Sequence, residues 1–120
     1  MHGTAYANKA VLNCDLIMSI GSRWDDRIVG KLETFCEHAV KIHIDIDPAE
    51  DSKMIKPDIF VLGDARLVLE ELNTLMQKGD TKEWVKQTKK WRSQFPLKFK
   101  KHGGLKSEYI LQQLNRLVKG

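Results

Sequence analysis

Three short clusters carry the residue types that could do chemistry: Gly21-Ser22-Arg23-Trp24-Asp25-Asp26-Arg27, Asp45-Ile46-Asp47-Pro48 and Gly63-Asp64-Ala65. Each follows a short apolar run. Gly21 and Gly63 would let a ligand approach the backbone closely, because no Cβ stands in the way. Arg23 offers a planar fork for phosphate oxygens or a flat face for stacking. Asp45, at the tip of an apolar run, is where a carboxylate accepts hydrogen bonds from ribose hydroxyls. These types together suit a nucleotide-like ligand. The competing reading is that Asp25 and Asp26 pair with Arg23 and Arg27 in a solvated loop. Both readings fit the spacing.

Several sharper signatures are absent. The chain has no G-x-G-x-x-G fingerprint and no G-x-x-x-x-G-K-(S/T) phosphate loop, and no G-x-S-x-G nucleophile elbow. His38 and His43 stand five apart around an apolar run, so they do not make an i, i+4 metal pair, and each reads as a packed or surface histidine. Cys14 and Cys36 lie 22 apart without a C-x-x-C and read as small hydrophobes. With no nucleophile beside a base, no catalytic residue and no metal ligand is expected.

The elements that must position the clusters follow from hydrophobic patterning. Thr4–Leu12 predicts a helix. Asp15–Gly21 is an apolar run ending in glycine and predicts a buried strand. Ser22–Gly30 reads as a polar loop and Gly30–His38 as a short helix or turn. Val40–Asp47 is a second strand, stopped by Pro48, with Ile42, Ile44 and Ile46 on one face and His43, Asp45 and Asp47 on the other. Asp58–Leu62 is a third. Asp64 caps a helix running through Gln77, with Leu67, Val68, Leu72, Leu75 and Met76 on its apolar side. Gly79-Asp80-Thr81 opens a basic helix that Pro96 ends, and Ser107 caps a last helix to Val118. Alternating strands and helices predict an α/β fold with a Rossmann-like parallel sheet flanked by helices, followed by a helical linker. In such a sheet ligands bind outside the carboxyl ends of the strands, which is where all three clusters fall. Three strands are few for an open parallel sheet, so the pattern reads as part of a domain.

Composition sets further bounds. The 120 residues, 42% of them hydrophobic, supply one core and not two. No apolar run is long enough to cross a membrane, and no secretory leader is expected at Met1-His2-Gly3-Thr4. Two cysteines exclude a disulfide-built mini-domain, and a reducing compartment such as the cytoplasm is the plain expectation. Charge is polarised. Residues 1–64 hold 7 Lys/Arg against 11 Asp/Glu, and residues 65–120 hold 13 against 5. The basic excess lies in 78–106, where Trp84, Thr88, Trp91 and Phe95 form one helical stripe. Such a stretch is either a solvated helix face or a surface for nucleic acid, and the aromatic stripe favours packing on protein.

The clusters also carry a family resemblance. The stretch from Gly21 to Leu32 resembles the G-x-R-(F/W)-D-D-R-x-x-G-K-L segment of acetolactate synthase (acetohydroxyacid synthase) large subunits. Met1-His2-Gly3-Thr4-Ala5-Tyr6-Ala7-Asn8 is similar to that family's M-H-G-T-x-x-A-N, and His43-Ile44-Asp45-Ile46-Asp47 to its H-I-D-I-D strand. Trp91-Arg92 with Phe95-Pro96-Leu97 resembles its W-R-x-x-F-P-L linker, and Ser107–Gly120 the first helix of its thiamine-diphosphate domain. The likeness runs the whole chain in order.

The resemblance implies an internal stretch of a longer protein, with Met1 an internal methionine or an artificial start. Residues 1–79 would be part of a central FAD-binding-like domain, 80–106 a basic linker, and 107–120 the first helix of the next domain. It implies FAD contacts at Met1, His2, Gly21, Ser22, Arg23, Asp25, Asp45, Ile46, Glu50, Gly63, Asp64 and Ala65, with FAD structural rather than an electron carrier. Arg27 would recognise the second 2-oxo acid, with Asp26 beside it to hold the guanidinium. The parent reaction it implies is decarboxylation of pyruvate and condensation with a second pyruvate or 2-oxobutyrate, in branched-chain amino acid biosynthesis. Thiamine diphosphate and Mg²⁺ would bind outside this segment, since no G-D-G motif occurs here. The family further implies a homo-oligomer with a small regulatory subunit, no nucleic acid or membrane partner, and a plastid or mitochondrial location in a eukaryote. The chain alone would be inactive; the alternative is a stand-alone FAD- or nucleotide-binding module without catalysis.

Overall fold

A computed structural model describes residues 3–98 and 104–118. Helix α1 spans Ala5–Leu12, and the Thr4 hydroxyl accepts a hydrogen bond from the Ala7 amide as its cap. Strand β1 (Leu16–Ile20), β2 (Val40–Asp45) and β3 (Ile59–Leu62) form one parallel sheet in the order β1-β2-β3. The parallel α/β architecture expected from the pattern is therefore present. Ser19 registers with His43, and His43 with Phe60, so these three side chains share one face.

Between β1 and β2 the chain makes a compact excursion. Its short helix α2 (Asp26–Val29) lies where the sequence reads as plain loop. The reason is local: Asp25 Oδ1 accepts from the amides of Arg27 and Ile28, a capping geometry that closes a single turn. Gly30 then ends the turn at φ 66°, a left-handed conformation suited to glycine. A 3₁₀ turn at Leu32–Thr34 follows.

The core is built from this excursion. Trp24, Val29, Phe35, Cys36 and Ala39 are buried together, with Val11, Cys14, Ile17 and Ile55 packed around them. Trp24 meets Phe35 edge-on at 6.2 Å and stacks on His43. The outer strands are less covered: Leu16 and Ile59 are about half exposed.

Strand β2 ends at Asp45, two residues before the patterned end, because Asp47 turns to cap a 3₁₀ turn at Pro48–Glu50. Helix α3 (Ala65–Leu75) packs on β2 and carries the expected Asp64 cap, but stops two residues early. Only part of its apolar side is covered. Val68 and Leu72 are half-buried, whereas Leu67, Leu75 and Met76 are exposed. Helix α4 (Lys82–Gln94) packs against α1; Trp84 and Trp91 meet edge-on at 5.8 Å, and Lys9 sits over the Phe95 ring. Helix α5 (Ser107–Leu117) begins one residue after its cap position, which Lys106 holds. Ser107 is thus not the cap, and its hydroxyl donates to Glu108 instead. Among the described residues no helix is long and apolar enough to cross a membrane.

Candidate functional site

The three strand tips are stitched together by backbone hydrogen bonds just past the ladder. The Gly21 amide donates to the Ile44 carbonyl at 2.8 Å, and the Gly63 amide to the Asp45 carbonyl at 2.9 Å. That brings the three clusters side by side at the carboxyl edge of the sheet. They enclose a cavity of about 310 Å³ lined by Gly21, Arg23, Asp45, Ile46, Glu50, Gly63, Asp64 and Ala65, with Ile44 and Asp47 completing the wall.

Each carboxylate there is anchored by a neighbouring group. Asp45 Oδ1 accepts from the Asp47 amide at 2.9 Å, and Asp47 Oδ1 from the Ala49 amide at 2.9 Å. Asp64 Oδ1 accepts from the amides of Arg66 and Leu67 at 3.0 and 3.2 Å. Glu50 is buried, and its Oε1 accepts from Lys53 Nζ at 2.7 Å. The backbone bonds of all three aspartates run through Oδ1 alone, which fixes the side chains while leaving Oδ2 as acceptor capacity. The wall therefore presents several acceptors and one guanidinium, that of Arg23. Such a set suits a ligand rich in hydroxyls that also carries an anionic group.

Gly21 tests that fit. It adopts φ 58°, and a Cβ added to it would meet nothing within 4 Å. The missing side chain leaves open space at the cavity wall. At Gly63 the opposite holds: a Cβ would lie 3.0 Å from Val68 Cγ2, so glycine there lets the first turn of α3 seat tightly on the strand end.

Behind the cavity stands a support that sequence reasoning did not assign to the site. His43 is fully buried and its Nε2 lies 3.1 Å from the Ser22 carbonyl, which also accepts from Ser19 Oγ at 3.1 Å. A carbonyl only accepts, so Nε2 carries the proton. The His43 ring lies between Trp24, stacked on one side, and Phe60, which meets it edge-on. These contacts hold the Gly21–Trp24 turn, and hence Arg23, against β2. The signal available was the alternation that put His43 on the same strand face as Asp45. Asp47 was legible in the same way.

Other candidate residues fall elsewhere. Ser22 contributes its carbonyl to the support and does not line the cavity. Asp25 caps α2, and Asp26 and Arg27 lie exposed on that helix. Among the described residues neither Arg23 nor Arg27 forms an ion pair with Asp25 or Asp26. The mutually paired surface loop is not what forms, because the Asp25 carboxylate is engaged by the amides of Arg27 and Ile28. Met1 and His2 lie outside the described residues.

Residues 1–72 match the family model of the thiamine pyrophosphate enzyme central domain. The chain belongs to that family. Over its full length it is 41% identical to acetolactate synthase 1, chloroplastic, of Oryza sativa subsp. japonica, covering 20% of that protein. Over 81% of its length it is 44% identical to the acetolactate synthase large subunit of Cyanidium caldarium, covering 18%. It is 40% identical to acetolactate synthase 3, chloroplastic, of Brassica napus, again over its full length and 20% of the relative. The chain thus spans about a fifth of the curated relatives it matches.

Proposed function

We propose, from that membership, that the chain is the flavin-nucleotide cradle of an acetolactate synthase catalytic subunit. The observation that carries the reading is the single cavity joining Gly21 and Arg23, Asp45 and Ile46, Glu50, and Gly63 to Ala65 at three parallel strand ends. Its acceptor-rich wall and lone guanidinium match the hydroxyls and phosphates of FAD, and the open space at Gly21 is room for it. When bound, FAD would supply structure rather than electron transfer. Ser22 and Asp25 would shape the turn that presents Arg23; Met1 and His2 complete the proposed set.

In the parent protein the reaction would be decarboxylation of pyruvate followed by condensation with pyruvate or 2-oxobutyrate, leading to branched-chain amino acids. Arg27, exposed on α2, would face the second 2-oxo acid, and Asp26 would lie beside it. Thiamine diphosphate and Mg²⁺ would be held by other segments. Residues 1–79 are then central domain, 80–106 linker, and 107–120 the opening of the next domain. The parent would be a homo-oligomer with a small regulatory subunit, in the cytoplasm or, in a eukaryote, a plastid or mitochondrion.

Titration of the chain with FAD tests the cradle, read by quenching of flavin fluorescence. A Kd on the order of micromolar, weakened at least tenfold by Arg23→Ala, supports it. No binding to a folded chain overturns the cradle as a self-sufficient site. A parallel assay with pyruvate, thiamine diphosphate, Mg²⁺ and FAD should yield no acetolactate, since the chain lacks a G-D-G motif. Turnover would refute the division of labour.

A further inference from the structure

Outside the cavity, two thiols converge on one oxygen. Cys14 Sγ donates to the Val11 carbonyl at 3.1 Å and Cys36 Sγ donates to the same carbonyl at 3.0 Å. The two sulfurs therefore sit on neighbouring sides of a single acceptor although their residues are 22 apart in sequence. Cys36 is fully buried in the core, while Cys14 is only half-buried. Cys36 also holds φ 47°, a left-handed conformation costly for a residue with a Cβ. That backbone turns its thiol toward α1 and Cys14.

We propose that Cys14 and Cys36 are a reversible dithiol–disulfide site, oxidised by low-molecular-weight disulfides such as oxidised glutathione. The chemistry balances in two exchanges. The Cys14 thiolate attacks one sulfur of oxidised glutathione, forming a mixed disulfide on Cys14 and releasing one glutathione thiol. Cys36 then loses its proton and attacks Cys14 Sγ, forming the protein S–S bond and releasing the second glutathione thiol. Two electrons pass to the oxidant and two protons leave the protein sulfurs. Exposure sets the order, because the oxidant reaches Cys14 and not Cys36.

Two features make the bridge reversible rather than structural. Oxidation removes both S–H donors from the Val11 carbonyl, which disfavours the oxidised form. Burial and the neighbouring Cys14 keep the Cys36 thiol protonated, with Lys41 acting weakly the other way, so closure is slow at neutral pH and quickens as pH rises. The bridge would tie the end of α1 to the segment entering β2, beneath the Trp24 support. This inference stands independently of the flavin reading.

The test is incubation of the chain with oxidised glutathione at pH 7 and pH 9, followed by intact mass and non-reducing peptide mapping. The expected product has lost two hydrogens, carries no glutathione, maps to a Cys14–Cys36 link, forms faster at pH 9, and reverts with dithiothreitol. Cys36→Ser should instead hold one glutathione on Cys14. A stable glutathione adduct on the wild-type chain, an intermolecular link, or two thiols that stay free natively and react only after denaturation would each overturn the site. The wild-type mapping decides the matter even if the serine variant fails to fold.

Discussion

His43 and Trp24 stack with ring centroids 4.8 Å apart and planes 18° from parallel, and the same histidine hydrogen-bonds the Ser22 carbonyl. One buried side chain thus ties β2 to the turn that carries Arg23. The Asp45 carboxylate stands 3.7 Å from the same Nε2, too far for a hydrogen bond, so the proton is committed to Ser22. His43→Ala is expected to cost about 2–4 kcal/mol, from the cavity and the lost donor. His43→Phe keeps a ring against Trp24 and removes only the donor, and should cost nearer 1 kcal/mol. Urea denaturation of the two variants checks the ordering; equal costs would show that stacking contributes nothing beyond the hydrogen bond.

Asp64 has two tasks, capping α3 through Oδ1 and lining the cavity. Asp64→Ala should lose the cap and about 1 kcal/mol. Asp64→Asn retains an oxygen acceptor and should hold stability within a few tenths of a kcal/mol. Both should weaken FAD binding if the free carboxylate oxygen accepts a ligand hydroxyl. Comparing thermal midpoints with FAD affinity across the pair separates the cap from the ligand contact.

Gly21 offers a sharper probe of the cavity because it couples conformation to open space. At φ 58° a Cβ costs about 1–2 kcal/mol. It would clash with no protein atom, so the penalty is confined to the backbone. Gly21→Val adds branching that projects from the cavity wall. The expected outcome is a chain that still folds, with circular dichroism unchanged, but whose FAD affinity falls at least tenfold. Unaltered affinity would place the ligand elsewhere.

The carboxyl edge of the sheet was legible because its signals are local: an apolar run, then Gly, Arg or Asp, repeated three times. Asp45 and Asp64 could be placed at strand tips from patterning alone. What stayed hidden depends on contacts between distant segments. Nothing local to His43 says that Trp24 will stack on it or that the Ser22 carbonyl will receive its proton. The competing roles of aspartate were also hidden. Asp25 bears the same charge as a ligand-binding carboxylate yet is turned toward backbone amides, creating α2, while Asp47 both lines the cavity and caps the turn that ends β2 early. Ser107 failed as a cap for the related reason that its hydroxyl found the next side chain first.

Cys36 makes stability depend on alkaline pH. Burial first, then the neighbouring Cys14, push its thiol from 9.0 up to about 12, opposed by Lys41. Well below pH 9 the thiol is protonated whether the chain is folded or not, and the group imposes no pH dependence. Above that, the unfolded chain releases the proton while the folded chain retains it, so folding loses ground as pH climbs toward 12. The folded chain should therefore weaken progressively across this window, measured as a falling urea midpoint. Cys36→Ala removes the titrating group and should flatten the decline relative to its own value at pH 8, although it starts lower because the thiol fills core volume. Cys14→Ala should give an intermediate slope, since it removes one cause of the raised pKa and leaves burial in place. If wild type and Cys36→Ala fall in parallel from pH 9 upward, the decline does not come from this thiol.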